Sequence, residues 1–252
     1  MKPKSILITG ASSGIGAALA FEYADKGIFL ALSARNLSRL NLIANNCRKK
    51  GAFVEIKILD VTKGKPMKEW ISEIDERVCL DLIIANAGIA GDRFDYGQGI
   101  NSTRMIFNTN IEGVLNTVIP ALNCMEKRGS GQIAIMSSLA SFRGFSGAPS
   151  YIATKAAVRI WGEGLRERYK EKGIKVSVIC PGFVKSRITE KNLFWMPLLM
   201  SGEKAAKIIR RGLNKNYPRI AFPRRMYFIA LAFSLLPTFL SNLLTPKTPP
   251  KE

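Results

Sequence analysis

Ser5-Ile6-Leu7-Ile8-Thr9-Gly10-Ala11-Ser12-Ser13-Gly14-Ile15-Gly16 is the stretch that decides the fold. It opens as an apolar run of strand length, and an Ala-rich helical pattern, Ala17-Ala18-Leu19-Ala20-Phe21-Glu22-Tyr23, follows the last glycine. Strand, glycine turn and helix in that order form the setting in which a glycine fingerprint carries meaning. One glycine allows the tight turn, one lets a pyrophosphate approach the backbone, and one lets the helix pack close to the strand. The helix N-terminus then offers unpaired N–H groups and a partial positive charge to phosphate. Glycines alone suit an ordinary βα turn equally well, so the weight falls on the rest of the chain.

Strand-like runs recur near 5–9, 28–33, 52–58, 80–85, 132–137, 174–180 and 219–222. Helical segments lie between them near 14–26, 37–50, 64–77, 102–127, 150–171 and 202–214. Most strand runs are continuously apolar, as in Leu82-Ile83-Ile84-Ala85, which suits strands buried on both faces of a parallel sheet. Strand–helix alternation with right-handed crossovers predicts an α/β fold, a Rossmann-type doubly wound sheet in a single domain. Ligands then sit outside the carboxyl ends of the strands, at the switch in strand order. The predicted organisation is a catalytic domain over 1–222, with a substrate loop at about 183–202, and a basic then apolar tail over 223–252.

Composition narrows the chemistry. Among 252 residues, 47% hydrophobic, there is no histidine, which excludes a Ser-His-Asp triad, a His-ligated metal and a His general base. Acid–base work must fall to Tyr, Lys, Asp, Glu or Cys. Cys47, Cys79, Cys124 and Cys180 form no Cys-x-x-Cys pair and read as reduced cytosolic thiols, with neither metal nor disulfide. Ile6 to Ile8 is too short an apolar run for a signal peptide, so a cytoplasmic protein is expected. The net charge of +19 suits nucleic acid, an anionic membrane surface, a phosphorylated ligand or simply a solvated lysine-rich surface. No nucleic-acid-binding motif accompanies it. One cluster stands out: Glu203 to Arg225 holds eight basic residues and a single acid.

The residues just after the strands carry the next signals. Ser33-Ala34-Arg35-Asn36 lacks the acidic residue that binds an adenosine ribose 2′-OH, and Arg35 stands in its place. A guanidinium pairs with a 2′-phosphate that a carboxylate would repel, which favours NADP(H) over NAD(H); a solvated Arg at a helix start is the alternative. Asp60 and Asn86-Ala87-Gly88 also follow strands, where simple turn chemistry accounts for them equally. Ser137-Ser138 ends another strand, and Tyr151-Ile152-Ala153-Thr154-Lys155 lies beyond it on a predicted helix. The i, i+4 spacing puts Tyr151 and Lys155 on one helix face. A neighbouring ammonium, with the positive nicotinamide of an oxidised cofactor, favours the phenolate, so the two are expected to lower the Tyr151 pKa and make the Tyr151–Lys155 pair a proton donor and acceptor.

Taken together these pieces resemble the short-chain dehydrogenase/reductase family over about residues 4–222. They are Thr9-Gly10-x-x-x-Gly14-Ile15-Gly16, Asp60, Asn86-Ala87-Gly88, Asn110, Ser138, Tyr151-x-x-x-Lys155 and Pro181-Gly182, in the family's order and spacing. The resemblance implies a catalytic set of Asn110, Ser138, Tyr151 and Lys155. Tyr151 would exchange the proton, and Lys155 would tune it and bind the nicotinamide ribose. Ser138 would position the substrate carbonyl, and Asn110 would hold a water linking Lys155 to solvent. Gly10, Ser12, Ser13, Gly14, Ile15 and Gly16 would line the cofactor phosphates, Asp60 the adenine and Asn86 its ribose. Ala87, Gly88, Pro181, Gly182 and Val184 would complete the cofactor contacts. A homodimer or homotetramer through the long helices near 102–127 and 150–171 is also implied. Two departures matter: Ala85 precedes Asn86 where the family often has Asn, and Ser186 stands where it usually has Thr.

Two apolar segments speak to the substrate. Leu193-Phe194-Trp195-Met196-Pro197-Leu198-Leu199-Met200 is unusually greasy for a loop. Phe194, Trp195, Met196 and Leu198 either cover a lipophilic substrate or bury against the protein's core or a partner subunit. Met226–Thr245 is uncharged, with Ser234, Thr238, Ser241 and Thr245 on one helical stripe and Phe228, Leu231, Leu235, Phe239 and Leu243 opposite. Behind Arg224-Arg225 it suits a helix lying in an anionic membrane surface; a membrane span and a packed helix are the alternatives. The expectation is an NADP(H)-dependent oxidoreductase interconverting a carbonyl and an alcohol on a lipophilic substrate. A non-catalytic dinucleotide-sensing or membrane-interaction protein is the alternative, although such a protein has no need of the proton relay.

Overall fold

All seven predicted strands form and join one sheet in a computed structural model that describes residues 2–90, 99–190 and 195–237. They are β1 (Ser5–Thr9), β2 (Phe29–Ala34), β3 (Phe53–Ile58), β4 (Leu82–Ala85), β5 (Gly131–Met136), β6 (Ile174–Pro181) and β7 (Arg219–Phe222). The order is β3-β2-β1-β4-β5-β6-β7, and every pairing is parallel. Leu7 is in register with Ala31 on one side and Ile83 on the other. The chain steps outward from β1 to β3, then returns to place β4 on the other flank of β1. The switch in order therefore lies between β1 and β4, directly beside the glycine turn.

The continuous apolar runs are explained by burial on two faces. Ile6, Ile8, Leu82 and Ile84 enter one core with helices α1 (Gly14–Tyr23), α2 (Leu37–Lys49) and α8 (Gly202–Asn214). Leu7, Ile83 and Ala85 enter the other with α3 (Gly64–Val78), α5 (Gly113–Arg128) and α6 (Pro149–Tyr169). Between these last two lies a short 3₁₀ turn, Leu139–Phe142, and a single helical turn, α7 (Arg187–Glu190), follows β6. A third small cluster, Leu139, Val178 and Cys180, is capped by Phe142, Met226 and Tyr227. The four cysteines are all free.

Two expectations change. The helix predicted over 102–127 is α4 (Gly99–Phe107), a π-helical turn (Asn108–Glu112) and then α5. The extra residue widens one turn and carries the fully buried Asn110, whose side chain bonds the backbone of Ile89. In the tail, α9 (Arg224–Leu235) takes in the two arginines and stops at Leu236, which is extended before Pro237 as a pre-proline residue must be. Thr238, Phe239, Ser241, Leu243 and Thr245 lie outside the described residues. Within α9, Phe228, Ile229, Ala232 and Leu235 form the exposed side, while Leu231 is half-buried. No helix among the described residues is long and apolar enough to cross a membrane. At 12 residues α9 spans about 18 Å, against about 30 Å of hydrocarbon.

Candidate active site

The glycine turn is built against Asn86. Gly10 has φ +67°, and a Cβ there would meet the Ala87 Cα at 2.8 Å, so only glycine fits on both counts. At Gly16 a Cβ would stand 2.5 Å from the Asn86 Nδ2. That amide donates to the carbonyls of Thr9 (2.9 Å) and Gly10 (3.3 Å). The Thr9 hydroxyl in turn accepts from the backbone N–H groups of Asn86 and Ala87, each at 3.1 Å. The amide nitrogen of Asn86 thus locks the turn shut, a use the sequence did not reveal, and Thr9 is its partner. Ser13 precedes α1 in extended conformation, and its side chain makes no capping bond. The first N–H groups of a helix that follows such a turn are suited to a pyrophosphate. Ser12 and Ile15 sit in the same turn, both half-buried.

The other end of a dinucleotide would meet the ends of β2 and β3. Arg35 is exposed and makes no hydrogen bond or ion pair among the described residues. The Asp60 Oδ1 accepts from the Thr62 N–H (3.0 Å) and hydroxyl (2.9 Å). Partial burial raises the Asp60 pKa, but those bonds and the Arg35 charge outweigh it and hold the carboxyl below its ordinary value. Asn36 spends its side chain capping α2 through the Arg39 N–H (2.9 Å). No carboxylate occurs from Ser33 to Asn36, so these residues fit a phosphorylated ribose.

The four candidate catalytic residues converge at the carboxyl ends of β4, β5 and β6. Ser138 follows β5, and its Oγ accepts from the Ala140 N–H (3.1 Å) and lies 3.5 Å from the Pro181 carbonyl beyond it. The Tyr151 phenol is hydrogen-bonded to the Ser138 side chain. The Lys155 ammonium is buried, donates to the Met136 carbonyl (2.9 Å) and lies 5.8 Å from the centre of the Tyr151 ring. Asn110 accepts from the Ile89 N–H (2.8 Å) and donates to the Ile89 carbonyl (2.8 Å) and the Thr154 hydroxyl (3.0 Å). Gly88 is the floor between them: a Cβ there would come within 3.1 Å of the Asn110 Oδ1 and 3.2 Å of the Lys155 Nζ. Ser137 donates to the Lys155 carbonyl at 2.8 Å and pins α6 to β5. Thr154 and Ser137 are further supports that spacing along the chain did not signal.

Burial dominates the electrostatics of the Tyr151–Lys155 pair. Burial raises the Tyr151 phenol above its ordinary value, and the Ser138 hydrogen bond offsets only part of that. Burial also pulls the Lys155 ammonium down to about 8. Lys155 directs a proton to the Met136 carbonyl.

The loop after β6 folds back over the glycine turn. A Cβ at Gly14 would stand 3.0 Å from the Ser186 Cβ. Thr189, unremarked in the sequence, holds this loop: its hydroxyl accepts from the Ser186 N–H and lies within bonding distance of the Val184 carbonyl, each at 2.9 Å. Val184 itself is buried and bridges to Met200. Trp195 is 85% exposed, and Leu198 and Leu199 are also exposed, so these residues do not bury against the protein's own core. Met196 is half-buried, and Phe194 lies outside the described residues. A separate cleft of about 910 Å³, lined by Arg166, Ile174 and Arg219, opens toward the amino ends of β6 and β7, away from this chemistry.

Comparison with known proteins agrees with the geometry. Residues 4–196 match the short chain dehydrogenase family. An uncharacterized oxidoreductase of Myxococcus xanthus (strain DK1622) is 36% identical over 224 residues, 88% of each chain. The 11-beta-hydroxysteroid dehydrogenase-like protein 4A of Arabidopsis thaliana is 34% identical over 235 residues, 87% of this chain and 76% of that one. The solved alcohol dehydrogenase from the archaeon Thermococcus sibiricus, complexed with 5-hydroxy-NADP, superposes with a TM-score of 0.73 at 27% identity, covering 84% of this chain and 90% of that one.

Proposed function

The chain belongs to the short-chain dehydrogenase family of oxidoreductases, and from that premise we propose that it reduces a carbonyl group of a lipophilic substrate with NADPH. The observation that carries this reading is the convergence of Ser138, Tyr151, Lys155 and Asn110 at one edge of the sheet, beside the glycine turn. Bound NADPH supplies the hydride that reaches the carbonyl carbon. The Ser138 hydroxyl orients the carbonyl oxygen. Tyr151, kept protonated by burial, delivers its phenolic proton to that oxygen. Lys155 holds the nicotinamide ribose and restores the Tyr151 proton, which solvent supplies along the Asn110 side of the site. The products are the alcohol, NADP⁺ and a protein returned to its starting protonation state. Arg35 selects NADPH through the 2′-phosphate, in keeping with the 5-hydroxy-NADP held by the Thermococcus enzyme.

The lipophilic substrate rests on the exposed Trp195, Leu198 and Leu199 beside the site, and on the likeness to a hydroxysteroid dehydrogenase-like protein. The exposed apolar side of α9, with Arg224 and Arg225 also exposed at its start, suits an anionic membrane surface from which such a substrate is drawn. Exposed Phe107, Ile119 and Ile160 on the long helices suit a homo-oligomer. The test is NADPH oxidation over ketones and aldehydes graded by chain length. Turnover should rise with apolar length, and no turnover anywhere in the series would refute the reading.

A further inference from the structure

Helix α9 has no buried residue, yet its first turn packs on the 3₁₀ turn that follows Ser138. A Cβ at Gly182 would come within 3.1 Å of Pro223 and 3.3 Å of Met226, so the start of α9 closes over the turn that follows β6. A helix of 12 residues with so little apolar burial does not hold its place by propensity. It is tied at both ends instead.

At the first end, the Tyr227 ring meets Phe142 edge-on with centroids 5.6 Å apart, and its hydroxyl accepts from the Arg219 Nη1 at 2.9 Å. Phe142 is covered in turn by the guanidinium groups of Arg159 (4.6 Å) and Arg219 (5.3 Å). At the other end, the Arg143 Nη1 donates to the carbonyls of Leu236 (2.8 Å) and Phe233 (3.4 Å). These carbonyls lie at the helix C-terminus, where intrahelical donors run out and a cation is favoured. Both tie points belong to one short segment: Phe142 ends the 3₁₀ turn that Ser138 caps, and Arg143 is the next residue.

We propose that Arg143 and Tyr227 are positioning residues that latch α9 onto the Ser138 segment, making α9 the wall that sets which substrates fit. The inference rests on the proposed carbonyl reduction, because that reading assigns this side of the site to substrate. Loosening either tie frees the wall and the Ser138 turn together. It leaves the glycine turn and Arg35, which take part in neither tie, undisturbed.

Amide hydrogen exchange on the full chain tests the latch without any substrate. In Arg143→Ala, exchange should quicken at least about tenfold in both 224–236 and 138–142, while β1 and α1 keep wild-type rates. Arg143→Lys, which keeps a cation and one donor, should recover part of the protection. NADPH affinity should stay within about twofold of wild type, while kcat/KM for long-chain ketones should fall about tenfold relative to short-chain ones. Tyr227→Phe, which keeps the ring and removes only the Arg219 bond, should loosen the same two segments less, and it decides the matter if Arg143→Ala fails to fold. Loosening of 224–236 with 138–142 unchanged, or no loosening in either segment, would overturn the latch. A wild-type protein that reduces no carbonyl would overturn the proposed function instead, with the exchange result still deciding whether the two segments are coupled.

Discussion

Arg35 and Lys155 show how much single side chains decide in this site. Arg35 stands exposed beside Asp60, where its charge is available to a 2′-phosphate. A charge-assisted pair there should favour NADPH over NADH by about 1–3 kcal/mol. Arg35→Asp should reverse that preference, as read by titration of both cofactors, and equal binding of the two by wild type would remove Arg35 from the reading. Ala34 is the poorer place for such a change, since it packs into the core. Lys155 makes a different prediction. Burial lowers its pKa in the folded protein to about 8, against an ordinary value of 10.5. Between those values the unfolded chain carries the proton and the folded protein does not, so stability contributed by this residue rises with pH. Wild type should therefore gain on Lys155→Met in denaturant unfolding between about pH 8 and pH 10, by no more than about 3 kcal/mol. A difference that is level or falls across that window would mean that Lys155 is solvated.

The elements divide into those announced locally and those made by distant contacts. The glycine turn and the Tyr151–Lys155 helix face were legible because their causes lie within a few residues. The π-helical turn was not, because Asn110 is turned inward by the backbone of Ile89, 21 residues away. Asn86 reads as a cofactor contact in the sequence because its bonds to Thr9 and Gly10 span 77 and 76 positions. In the tail, Pro237 interrupts the apolar stretch in the sequence, and α9 ends before it at Leu235. Within α9 the exposed residues carry a prediction. Full-length protein should sediment with anionic liposomes, less so as salt screens the basic residues, with a remainder sustained by apolar burial. Phe228→Asp with Ile229→Asp should abolish that remainder without touching the Tyr227 or Arg143 ties. A protein indifferent to such liposomes would leave the exposed side of α9 to a partner subunit.

At the scale of the whole molecule, the parallel doubly wound sheet and its two-sided burial followed from the pattern of apolar runs. The meaning of a net charge of +19 did not. Most of that charge is spread over the surface, and only its coincidence with α9 gives it direction. The fold brings four residues from three segments to the carboxyl edge of the sheet. The central claim is that they transfer a proton from Tyr151 to a carbonyl. Tyr151→Phe tests it most directly, because it removes the transferable proton and little else. Measured on the carbonyl substrate that wild type turns over fastest, NADPH oxidation should fall at least about a thousandfold, at the upper part of the range for a positioned general acid, while NADPH binding stays near wild type. Turnover by the variant within tenfold of wild type would contradict the account.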